Sequence, residues 1–180
     1  MTLAQQIQQK LNYPPLQAID AATDFPADES SFDALSQSAV ISFLAAVYKA
    51  TRTREDCEKL LQYSNHHELI QQLFGNTGAV YQMIKAYTGT GLITSKARVT
   101  DVAAAYLCII NDQLKHSTDK ASALQSTLSA ERDTILKYIP ARLQLGQLLH
   151  DETIDDNSNK MHGPVSSLLH KIENSFSAAD

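Results

Sequence analysis

From Ala39 to Tyr48 the chain reads Ala-Val-Ile-Ser-Phe-Leu-Ala-Ala-Val-Tyr, and only Ser42 interrupts it. Wound as a helix, such a run is apolar on nearly every side, so other elements must surround it. The upstream spacing of Leu35, Ala39, Val40, Phe43, Leu44 and Val47 keeps helical period, which favours a buried helix over a buried strand. The requirement is a shell of helices, because alternation of apolar and polar residues is nearly absent elsewhere.

That shell can be read from start and stop signals. Leu3, Ile7 and Leu11 space a short amphipathic helix that Tyr13-Pro14-Pro15 ends. Leu16 and Ile19 predict a second short helix, stopped by Phe25-Pro26. Ser30, with Asp33 three residues on, is the candidate cap of the central helix over 31–50. Thr53 caps a helix carrying Leu60 and Leu61, and Asn65 with Glu68 opens one carrying Leu69, Ile70, Leu73 and Phe74. Gly75-Asn76-Thr77-Gly78 is a connector, and Gly89 is placed as the left-handed stop of the helix bearing Val80, Met83, Ile84 and Tyr87. A second buried helix is expected over 95–115 through Val99, Val102, Ala103, Tyr106, Ile110 and Leu114. Small residues at Ala104, Ala105 and Cys108 would let neighbouring helices approach it. Leu124 and Leu128 suggest a shorter helix, Ser129 caps another bearing Ile135, Leu136 and Ile139, and Pro140 kinks it or starts one through Leu143 to Leu149.

The expected fold is therefore all-α, an irregular orthogonal helical bundle of about ten helices around two buried central helices. Residues 1–150 form the bundle, 151–163 an acidic, Asn-rich linker, and 164–177 a C-terminal amphipathic helix. In that last helix Val165, Leu168, Leu169, Ile172 and Phe176 make one apolar stripe. A helix this short is marginal alone, so the stripe is the candidate surface for self-association or a protein partner.

Composition excludes several functions. No stretch approaches the roughly 18 apolar residues of a membrane span, and the N-terminus lacks the apolar core of a secretory signal, which makes a cytoplasmic location the expectation. Net charge is −5, with a mildly basic middle between acidic ends, so a nucleic-acid face would need Arg52, Arg54, Lys96 and Arg98 to gather. His67-Glu68-Leu69-Ile70-Gln71 begins like a zinc-protease motif, but Gln71 stands at the second ligand position. Asp155-Asp156-Asn157-Ser158-Asn159 begins like a calcium loop, but Lys160 and Ser166 replace its glycine and bidentate glutamate. Gly89-Thr90-Gly91 lacks the lysine of a phosphate loop. Cys57 beside two carboxylates and Cys108 in an apolar helix both sit where a thiol resists ionisation. The reading assigns no catalytic residue, metal or cofactor. It leaves three alternatives: a non-catalytic protein-interaction or structural module, a small-ligand binder or enzyme with an interhelical pocket lined by Tyr48, Tyr81, Tyr87 and Tyr106, and a weak nucleic-acid binder.

The order of segments over about residues 30–150 resembles the YidB-like bacterial family of unknown function. The resemblance is carried by the run Ala39–Val47 followed by Lys49-Ala50-Thr51-Arg52-Thr53-Arg54-Glu55, by Leu73-Phe74-Gly75 and Tyr87-Thr88-Gly89, and by Ile139-Pro140-Ala141-Arg142-Leu143. It implies a bacterial all-helical fold and transfers no catalytic residue.

Overall fold

The structure is a computed structural model that describes residues 1–20, 26 and 32–155. Among the described residues there is no strand. The elements run α1 (Leu3–Leu11), α2 (Ala34–Lys49), α3 (Arg54–Leu60), α4 (His66–Phe74), α5 (Thr77–Thr88), α6 (Leu92–Leu114) and α7 (Lys120–Lys137). A 3-10 turn (Ala141–Leu143), α8 (Leu145–Leu149) and α9 (Glu152–Asp155) follow.

The all-round apolar run has the fate its composition demands. Every residue of α2 from Leu35 to Val47 is buried, and the helix packs on α6, α7, α5, α1 and α4. Asp33, not Ser30, caps it by accepting the Ser36 N–H at 2.9 Å; Ser30 lies outside the described residues. At the centre the rings of Phe43 and Tyr106 meet edge to face, with centroids 5.3 Å apart. Such pairs add about 0.5–1.5 kcal/mol beyond the area they bury.

The second central helix is longer than expected and only half buried. It begins at Leu92, and its buried face comprises Ser95, Val99, Val102, Ala103, Ala105, Tyr106, Ile110 and Leu114. Ala97, Asp101, Ala104, Cys108 and Asn111 recur on the opposite side and are exposed. Ala104 and Cys108 therefore face outward rather than receiving a neighbouring helix. Small apolar residues are cheap to expose, so hydropathy alone concealed this face.

Two further expectations need correction. Residues 13–20 form a strap without regular secondary structure instead of a helix through Leu16 and Ile19. Ser129 caps nothing: it is exposed within the unbroken α7, whose stripe Leu124, Leu128, Glu131 and Ile135 is buried on both sides of it. The cap of α7 is Asp119, which accepts the Ser122 N–H at 3.1 Å. Gly89 (φ +71°) stops α5 where the sequence put it, and Gly75 (φ +60°) ends α4, both in the region that favours glycine; the expected connector 75–78 is shorter, since Thr77 and Gly78 already belong to α5.

Residues 151–155 are the described part of the expected 151–163 linker, and they pack on the bundle. Asp151 is buried and takes the Arg52 guanidinium, while Ile154 in α9 is 1% exposed. Packing thus continues through Ile154, and 156–180 lie outside the described residues. No described helix is long and apolar enough to cross a membrane.

Candidate functional site

Several polar side chains converge on one segment at the strap. Asn12, left-handed at φ +54°, ends α1, and Pro14 and Pro15 supply no main-chain donors to prolong it. The strap then crosses α2, where Gln37 is 4% exposed amid apolar neighbours. Its Oε1 accepts the Gln17 N–H at 2.8 Å, and its Nε2 donates to the Gln17 carbonyl at 2.8 Å and to the Tyr138 carbonyl at 3.2 Å. One planar amide thus engages both main-chain groups of Gln17. Those are the groups a helix would have used for itself, which is the physical reason the Leu16–Ile19 helix does not form.

The flanks of the strap are held by side-chain chemistry. The Arg98 guanidinium carbon lies 4.6 Å from the Tyr13 ring centroid, in cation–π range. Burial pushes the Tyr13 hydroxyl above its ordinary pKa, with Arg98 opposing the shift. Gln8, itself buried, donates its amide to the Pro14 carbonyl, and Leu16 packs against the core. Upstream, the Leu3 N–H at the start of α1 donates to Glu131 Oε1 at 2.8 Å. The arrangement grips the strap by its main chain at one residue and by side chains upstream of it.

A second feature is a cavity of about 280 Å³ where α2, α3 and α4 meet. Ala46, Ala50, Leu60 and Leu73 give it apolar walls, and Lys49, Asp56, Lys59, Tyr63 and Gln72 give it polar ones. Tyr63 Oη donates to Gln72 Oε1 at 3.0 Å, and Lys59 Nζ lies 2.8 Å from Glu55 and 3.9 Å from Asp56. Lys49 reaches across to donate to the Leu149 carbonyl. The volume sits at the small end of ligand pockets.

The residues singled out from sequence are dispersed. Tyr106 is in the core, Tyr81 is buried in α5, Tyr48 lies beneath Arg52 at 5.7 Å, and none of the four tyrosines lines this cavity. Arg52 is bound to Asp151, Arg54 to Glu58 and Asp119, and Arg98 to Tyr13, while Lys96 is exposed. His66 and His67 place their rings 4.2 Å apart, and among the described residues no three of His, Cys, Asp or Glu gather as metal ligands would. Cys57 is buried, its Sγ donating to the Thr51 carbonyl at 3.4 Å; burial first, then Asp56 and Glu58, push its thiol pKa up. Cys108 is exposed, against the expectation of an apolar setting. Val165, Leu168, Leu169, Ile172 and Phe176 lie outside the described residues.

Gln8, Gln37 and Glu131 were not singled out from sequence. Each had one signal, a polar residue at a position where helical spacing calls for an apolar one. No family model matches the chain, and neither a curated protein nor a solved structure matches it.

Proposed function

We propose that this chain is a non-catalytic protein-interaction module. The observation that supports the reading is the grip of Gln37 on both main-chain groups of Gln17 in a proline-containing segment, since main-chain hydrogen bonds are one source of affinity in peptide recognition. The test is a panel of ten-residue peptides with an aromatic-Pro-Pro-aliphatic centre, titrated into the full chain and into Gln37→Ala, with circular dichroism confirming that both are folded. The expected result is binding that the variant loses. Equal binding to both, or none up to about 1 mM, the range in which a tethered arm competes, overturns the reading.

The stripe Val165, Leu168, Leu169, Ile172 and Phe176 is a second contact surface under the same proposal, serving self-association or a partner. Kinship with the YidB-like family, a bacterial and cytoplasmic setting, and an irregular orthogonal arrangement of about ten helices are parts of the proposal too.

The cavity among Lys49, Asp56, Lys59, Tyr63 and Gln72 is the observation behind a second reading, a binder of small ligands between helices. Titration with a panel of small polar fragments should shift the amide signals of Tyr63 and Gln72; signals that stay still across the panel exclude it. Weak nucleic-acid binding has less support, because three of the four cations it needs are already engaged within the fold.

A further inference from the structure

The cavity among α2, α3 and α4 opens where Ala46 and Ala50, one turn apart at the end of α2, present only methyl groups. Leu60 and Leu73 complete its apolar walls. An apolar cavity of about 150 Å³ accommodates a benzene ring, so one of about 280 Å³ has room for a ring bearing one polar group. The charged groups around it are already spent on one another or on the main chain. Lys59 Nζ lies 2.8 Å from Glu55 and 3.9 Å from Asp56, Asp56 Oδ2 also takes the Thr53 hydroxyl at 2.6 Å, and Lys49 donates to the Leu149 carbonyl outside the lining. Two ammonium groups thus stand with two carboxylates, and a charged ligand would give up its hydration without gaining an unspent counter-charge.

Tyr63 and Gln72 differ from these groups. The phenolic hydrogen goes to Gln72 Oε1 at 3.0 Å, so the Tyr63 oxygen keeps its lone pairs, and Gln72 Nε2 keeps two hydrogens that no described residue accepts. Both residues also line the shallow groove past His67 and Gln71, which puts the pair at the mouth of the cavity. We propose that the cavity binds a neutral, ring-sized carboxamide, its ring against the alanine and leucine walls and its amide at the mouth. A carboxamide carries an acceptor beside a donor, the complement of Gln72 Nε2 and Tyr63 Oη. The inference rests on the small-ligand reading and names the class of the ligand.

The test uses fragments that share one ring and differ in one group: benzamide, methyl benzoate, benzoate and benzylamine, each titrated into the nitrogen-15-labelled full chain. Benzamide should shift the amide signals of Tyr63 and Gln72 and bind roughly two- to tenfold more tightly than methyl benzoate, which lacks the donor, the worth of one net hydrogen bond. In Gln72→Met, a change at an exposed position of α4, that preference should vanish while both fragments still bind. Methyl benzoate, benzoate or benzylamine binding as tightly as benzamide to the natural chain, or a preference that survives Gln72→Met, overturns the carboxamide assignment and leaves the small-ligand reading standing. Signals that stay still with every fragment remove both.

Discussion

Among the described residues, the buried Ser42 Oγ, Tyr106 Oη and Glu131 Oε2 find no hydrogen-bond partner. An orphaned hydroxyl costs about 1–3 kcal/mol of desolvation, whereas the ring beneath it stabilises by packing. The two contributions of Tyr106 therefore separate by substitution. Tyr106→Ala, like Phe43→Ala, should lose on the order of 3–5 kcal/mol through lost transfer energy and a cavity. Tyr106→Phe should be neutral or stabilising, by up to about 1 kcal/mol. Chemical denaturation decides it, and a loss of stability in Tyr106→Phe would reveal a partner for the hydroxyl. Asp119 illustrates a surface group with a pH signature. The Ser122 N–H, then Arg54 and the Ser122 hydroxyl, hold its carboxyl below the ordinary range. A depressed folded value means its contribution is complete above the unfolded pKa of about 4 and fades as pH falls through the lower folded one. The Tm gap between the natural chain and Asp119→Asn should narrow on acidification below that point; a constant gap would mean that loss of the carboxylate charge is not what weakens the variant. At this scale the sequence was legible for Phe43 and Tyr106, whose spacing announced the core. It was opaque for Gln37 and Glu131, because a polar residue on a buried stripe looks like a flaw until its distant partner is known.

Elements were legible where the chain carries its own punctuation. Thr53 accepts the Asp56 N–H at 3.2 Å, Asn65 accepts the His67 N–H at 2.8 Å, and Gly89 stops α5, all from local chemistry that a sequence displays. The strap and α7 were misread because their conformation is decided elsewhere. Gln37, twenty residues away, removes the main-chain groups of Gln17 from any helix. In α7, Ser129 has the chemistry of a cap, but the stripe Leu124, Leu128, Ile135 holds one continuous helix against α2 and α3. The distinction can be measured at Ala130, which is exposed. Were Ser129 a cap, Ala130 would be the first helical residue, where proline is tolerated. Within a continuous helix, Ala130→Pro removes a hydrogen bond and clashes with the preceding turn, at a cost of about 3 kcal/mol or more. Urea denaturation of the variant should show that loss, and a stability within about 0.5 kcal/mol of the natural chain, the usual scatter of a surface change, would restore the two-helix reading.

For the whole molecule, the question is where the cooperative unit stops. Composition changes at Asp151, and a run of acids and asparagines invites the reading that the bundle is over. Burial places the limit later. Arg52 binds both Asp151 and Thr153, Lys49 holds the Leu149 carbonyl, and Ile154 disappears into the core. The acidic residue that signals a linker is thus the counter-charge of a cation at the end of α2, a pairing between positions 99 apart that no local pattern displays. Two truncations separate the alternatives. A chain ending at residue 155 keeps each of these contacts and is the reference for the comparison. A chain ending at residue 150 leaves Arg52 without its carboxylate and uncovers the site Ile154 fills. Fully burying such an aliphatic side chain stabilises by about 1.5–3 kcal/mol, so the shorter chain should lose at least that much. The ion pair adds little by itself, because the Arg52 side chain is 43% exposed and water screens it. Ile154→Ala in the longer chain should accordingly reproduce most of the loss, and Asp151→Asn only a small part. Equal stability of the two truncated chains would return the boundary to residue 150 and make the packing of α9 incidental to the fold.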